Sequence, residues 1–123
     1  MDANAPTLLA HDAQCKVPDD LTHVERVALQ GGPEGLNLDA LIDELTARQS
    51  NEILVESGPR LAGSLLQAGL LDELIIYMAP TLMGSDARPL FELSLERMSQ
   101  KLPLVIEDIR KIGMDWRITA IPG

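Results

Sequence analysis

Glu56, Gly58, Pro59, Arg60 and Ser64 lie close together in the run Asn51-Glu52-Ile53-Leu54-Val55-Glu56-Ser57-Gly58-Pro59-Arg60-Leu61-Ala62-Gly63-Ser64-Leu65-Leu66. The run reads as a strand that passes into a helix through a turn carrying an acid, a glycine and a proline. Gly58 is placed to be an N-cap and Pro59 the first helical residue, where a missing N–H costs nothing. Such a turn leaves backbone N–H groups pointing out of a positive helix end, which suits an anion such as a phosphate. Gly58 and Gly63 would let a ligand or another backbone approach closely. Glu56 closes the expected strand, where α/β sheets present ligand-contacting side chains. Two plainer roles stay open: Glu56 as a cap of its own turn, and Arg60 as a solvent-facing charge. The run contains neither a Gly-Lys-Ser/Thr phosphate loop nor a G-x-G-x-x-G fingerprint.

The elements that must position this turn follow from periodicity. Ile53-Leu54-Val55 is a short apolar run, expected as a strand over 52–56 that is covered on both faces. Leu61, Ala62, Leu65 and Leu66 continue at helical spacing to about Ala68, and Gly69 is the stop. Leu74-Ile75-Ile76-Tyr77-Met78-Ala79 is a second apolar strand. Joined by the helix, the two strands are expected to be parallel neighbours in a βαβ unit. Upstream, strands are expected over 7–11 and 24–29, with a polar loop between them and a glycine-rich linker over 30–35. Asn37 then caps a helix carried by Leu38, Leu41, Ile42 and Leu45 to about Arg48. Downstream, 80–89 reads as a loop and 91–102 as irregular or weakly helical. Strands over 105–112 and 115–121 flank Gly113-Met114, the pattern of an antiparallel hairpin. The expected fold class is α/β: a mixed, mainly parallel sheet flanked by helices, with a C-terminal antiparallel hairpin.

The 123 residues suit one domain, with residues 1–6 as a leader. Hydrophobic residues make up 46%, enough for a core, but aromatics only 2%, so aliphatic side chains must do the packing. Phe91, Tyr77 and Trp116 stand alone and offer no platform for stacking bases. The net charge of −9 repels nucleic-acid backbones and anionic lipid, which argues against both as partners. It leaves room for a small phosphorylated ligand held by a local helix end. Cys15 is the single cysteine, so no disulfide framework forms within the chain. His11 and His23 have no metal-ligand spacing, and no metal site is expected. Without a long apolar run or signal pattern, the chain is expected in the cytoplasm.

Three ordered motifs narrow this reading. Val55-Glu56-Ser57-Gly58-Pro59 with Leu61-Ala62-Gly63 resembles a V-E-G/A-G-P-T-L turn. Leu70-Leu71-Asp72-Glu73-Leu74 resembles a G-L-V-D-E-L helix exit. Ala79-Pro80-Thr81-Leu82-Met83-Gly84 resembles an A-P-x-L-x-G strand exit. Together they resemble the C-terminal reductase domain of the bifunctional riboflavin-biosynthesis deaminase/reductase family, from about Asn37 onward and more loosely back to Thr7. The resemblance implies a dihydrofolate-reductase-like fold. It also implies NADPH-dependent reduction of 5-amino-6-(5-phosphoribosylamino)uracil, a small phosphorylated pyrimidine, to its ribitylamino product.

In that family Glu56 would contact substrate, and Gly58, Pro59, Arg60, Leu61, Ala62, Gly63 and Ser64 would carry the cofactor's phosphate region. Ser57 and Arg60 depart from the family, which often has Gly and Thr there, and Arg60 could add a phosphate contact. The family's opening strand, resembling K-x-A-x-S-L-D-G, and its zinc-deaminase pattern have no counterpart here. The chain therefore reads as the C-terminal portion of a reductase domain, inactive alone and held together by homo-oligomerisation. Two other readings stay open: a dihydrofolate-reductase-like enzyme with another substrate, and a non-catalytic association or ligand-binding module.

Overall fold

The computed structural model describes residues 6–32 and 35–123. The expected leader falls largely outside them, as does the middle of the glycine-rich linker. The chain divides into two compact units, one up to Leu54 and one from Val55 onward.

In the first unit, β1 (Leu8–Asp12) and β2 (Glu25–Leu29) pair in parallel, with Leu8 opposite Glu25 and Asp12 opposite Leu29. Arg26 gathers the intervening loop, its guanidinium donating to the Pro18 and Leu21 carbonyls, both at 3.0 Å. The linker contributes a minimal antiparallel pair, β3 (Gly31–Gly32) and β4 (Gly35–Leu36). Helix α1 (Leu38–Ala47) starts where its cap residue predicts, since the Asn37 side chain accepts from the Ala40 N–H at 3.0 Å. Arg48 at its C-terminal cap bridges Glu25 at 2.8 Å and Glu44 at 2.7 Å, tying the helix end to β2.

In the second unit, α2 (Pro59–Gln67) follows Gly58, and Gly69 ends it at φ 70°. The Gly69 N–H donates to the Leu66 carbonyl and the Leu70 N–H to the Leu65 carbonyl, at 3.1 and 3.0 Å. This Schellman closure satisfies carbonyls that a helix end otherwise leaves unpaired. A three-stranded antiparallel sheet follows in the order β5-β7-β6: β5 (Leu74–Met78), β6 (Leu104–Ile112) and β7 (Asp115–Pro122). Gly113 turns the β6–β7 hairpin at φ 62°, a conformation favoured by residues without a Cβ. Leu74, Ala120 and Ile106 share one row across the sheet. Burial falls along that row from 1% exposure at Ala120 on the central strand to 56% at Ile106 on the edge. Among the described residues, Leu65, Leu66 and Leu74 are the other buried apolar side chains.

The α/β class, both helices and the C-terminal hairpin match expectation. Two finer expectations do not. Residues 51–58 form no strand, and Ile53 and Val55 are each 39% exposed, so the strand expected over 52–56 is absent as a ladder element. The expected parallel pairing of that segment with β5 is absent too: β5 runs antiparallel to β7, residue for residue from Leu74–Ala120 to Met78–Trp116. The apolar run sets a propensity for extended backbone but names no partner. β7 offers β5 a matched ladder, and among the described residues nothing pairs with 52–56. Parallel pairing is confined, among the described residues, to β1 and β2.

Candidate functional site

The expected site lies wholly in the second unit, at the start of α2. Gly58 is its N-cap at φ −74°, ψ 172°, and Pro59 occupies the first turn. The Gly58 carbonyl receives the Ala62 N–H at 3.1 Å, which closes the first turn. Pro59 has no N–H, so the helix end offers the N–H groups of Arg60 and Leu61. Among the described residues no side chain accepts from either one, and the first turn holds no acidic residue. A Cβ built on Gly58 meets nothing within 4 Å, so the space before these donors is open. Two free donors, a positive helix end and open space suit an oxygen-rich anion such as a pyrophosphate.

The remaining expected site residues divide by environment. Glu56 is exposed and, among the described residues, makes neither a hydrogen bond nor an ion pair; the cap role left open for it is not taken up. Arg60 is exposed and has no carboxylate partner among the described residues, so its charge stands beside the donors without being neutralised. Leu61 is 42% exposed. Ser64 spends its hydroxyl proton on the Arg60 carbonyl at 3.0 Å, one turn back in the helix.

Gly63 differs from the rest. It is buried, and a Cβ there would run into the Glu92 carbonyl group, whose carbon would lie 3.0 Å away. Its missing side chain admits another stretch of this chain. The Glu92 N–H also donates to the Pro59 carbonyl at 3.0 Å. Glu92 is absent from the residues that the sequence singles out, because its part is played by backbone and leaves no residue-type signal. The glycine at position 63 is the one local hint of such a crossing.

In the first unit, Asp12, Ala13, Gln14, Gln30 and Gly31 line an open notch at the carboxyl end of the parallel pair. An Asp12 carboxylate oxygen accepts from the Gln14 N–H at 2.9 Å. Among the described residues no group of His, Cys, Asp and Glu could hold a metal ion, and no helix is long and apolar enough to cross a membrane.

The α/β fold, with its antiparallel sheet ending in a long hairpin, is the dihydrofolate-reductase-like fold of the solved structures it resembles. The chain belongs to the RibD C-terminal domain family, which it matches over residues 1–118. It is 51% identical over 81 residues to the riboflavin biosynthesis protein RibD of Escherichia coli strain K12, covering 65% of this chain and 22% of that protein. It is 36% identical over 88 residues to the 5-amino-6-(5-phosphoribosylamino)uracil reductase of Buchnera aphidicola subsp. Acyrthosiphon pisum, covering 71% of this chain and 42% of that one. Acinetobacter baumannii RibD, form 2, superimposes with a TM-score of 0.80 at 29% identity, covering 94% of this chain and 31% of that one. The chain thus spans less than half the length of these relatives.

Proposed function

We propose that this chain is the C-terminal portion of a reductase domain of riboflavin biosynthesis. That domain reduces 5-amino-6-(5-phosphoribosylamino)uracil, the substrate in the name of the Buchnera relative, at the expense of NADPH. The observation that carries the reading is the pair of N–H groups at Arg60 and Leu61, without partners among the described residues, in a member of the RibD family. Bound NADPH would supply a hydride from its nicotinamide. The protein's part is binding and orientation: Arg60 and Leu61 hold the pyrophosphate through their N–H groups, and the Arg60 guanidinium adds charge. Glu56, two residues before the cap and without a hydrogen bond or ion pair among the described residues, is assigned to the substrate. The reading places the protein in the cytoplasm.

Self-association belongs to the same reading. Met78, Ile106, Ile109 and Trp116 stand on one face of the three-stranded sheet and are 39–56% exposed. An apolar face of this kind favours contact with a second copy. Light scattering during size-exclusion chromatography is expected to give a mass above 13.4 kDa that falls on dilution; a monomer at all concentrations refutes the association.

Titration calorimetry with NADPH tests the site. Binding by the chain that Gly58→Trp abolishes is the expected result, since an indole at the cap fills the space before the donors. Binding that survives Gly58→Trp removes the turn from the cofactor site.

A further inference from the structure

Glu92 stands more than thirty positions from Pro59 in sequence, yet it grips the first turn of α2 at two points. Its N–H holds the Pro59 carbonyl at 3.0 Å, and its own carbonyl seats on Gly63, where no Cβ could fit. The Pro59 carbonyl and the Arg60 N–H are opposite ends of one planar peptide unit. The oxygen, which the helix already pairs with the Gly63 N–H, takes a second hydrogen bond from Glu92, and this further restrains the direction of the Arg60 N–H, one of the two donors left without a partner among the described residues. A hydrogen bond accepted by the carbonyl also polarises the amide and makes its N–H a stronger donor. The Glu92 side chain is exposed, so this grip depends on backbone geometry.

We propose that the Glu92 backbone is a positioning strap for the anion-binding turn: it restrains and polarises the Arg60 N–H through the Pro59 carbonyl, and Gly63 serves the ligand by admitting the strap. The inference rests on the reading of this turn as the NADPH pyrophosphate site. Gly63 and Glu92 are thus positioning residues, acting through the Pro59–Arg60 peptide.

The test compares Gly63→Ala, which pushes the strap away, with Leu65→Ala, which removes a buried side chain from the same helix. NADPH is titrated at a temperature where both variants are folded. Gly63→Ala is expected to weaken binding by about tenfold or more, and Leu65→Ala to stay within about twofold of the parent chain. Equal weakening by both variants, or Gly63→Ala within about twofold of the parent, overturns the strap. Should Gly63→Ala fail to fold, amide hydrogen exchange on the unmodified chain decides. NADPH is expected to slow the Arg60 and Glu92 N–H groups together; slowing at Arg60 alone overturns the coupling. Should the parent chain bind no NADPH, the functional reading falls by itself, and the strap is judged in ligand-free protein with Glu92→Pro, which deletes the donor. The Arg60 amide proton is then expected to shift upfield and exchange faster, and an unchanged resonance refutes the proposal.

Discussion

Gln49 and Gly69 occupy the same structural position, one past the C-terminal cap of α1 and of α2, with left-handed φ of 64° and 70°. Both close a Schellman motif: the Gln49 and Ser50 N–H groups return to the Thr46 and Leu45 carbonyls as those of Gly69 and Leu70 do to Leu66 and Leu65. Only one of the pair is glycine, and a Cβ in this conformation costs about 1–2 kcal/mol.

Gln49→Gly is therefore expected to stabilise the chain, by about 1 kcal/mol after the entropy of a new glycine is deducted. Gly69→Ala is expected to destabilise it by a similar amount. Urea denaturation with unchanged slopes and midpoints moving in opposite directions is the check. A lower midpoint for Gln49→Gly refutes the assignment.

Arg48 gives the acid response a defined sign. Its guanidinium, through a side-chain hydrogen bond and charge, holds the Glu25 carboxyl below the ordinary 4.5. A carboxyl whose folded pKa is depressed contributes stability above its unfolded pKa and loses it as pH falls through the folded value. Arg48→Met is expected to lower Tm by a constant margin above about pH 6, and the margin to shrink toward about pH 3. A margin that does not vary with pH would mean that Arg48 acts through its aliphatic stem alone. Added salt should reduce the margin at neutral pH, because the pair is exposed.

Glu56→Gln, made in a complete reductase domain containing this sequence, probes the proposed substrate assignment. The amide keeps the shape and removes the charge. With the carboxylate exposed and making no contact among the described residues, Tm should hold within experimental error. KM for the phosphorylated pyrimidine should rise by about tenfold, with NADPH binding unchanged. An unchanged KM removes Glu56 from the substrate site.

The features legible in the sequence are those set within a few residues of chain. Asn37 capping Ala40, Gly58-Pro59 opening α2, Gly69 closing it and Gly113 turning the last hairpin are each decided by backbone groups satisfied locally. The three motifs around Glu56, Leu70 and Ala79 carried the family for the same reason: their residue types are contiguous and readable. What needed a distant partner was not legible. Ile53-Leu54-Val55 has the composition of a buried strand, but a strand exists only where another offers a ladder, and the tertiary structure gave that ladder to β5 through β7. Gly63 could be seen as a place of close approach, but only the folded chain identified the visitor as the Glu92 backbone. Gln49 in a left-handed conformation and Arg48 reaching Glu25 are likewise settled by packing and charge across the fold, because local propensity differences are smaller than the tertiary interactions that override them.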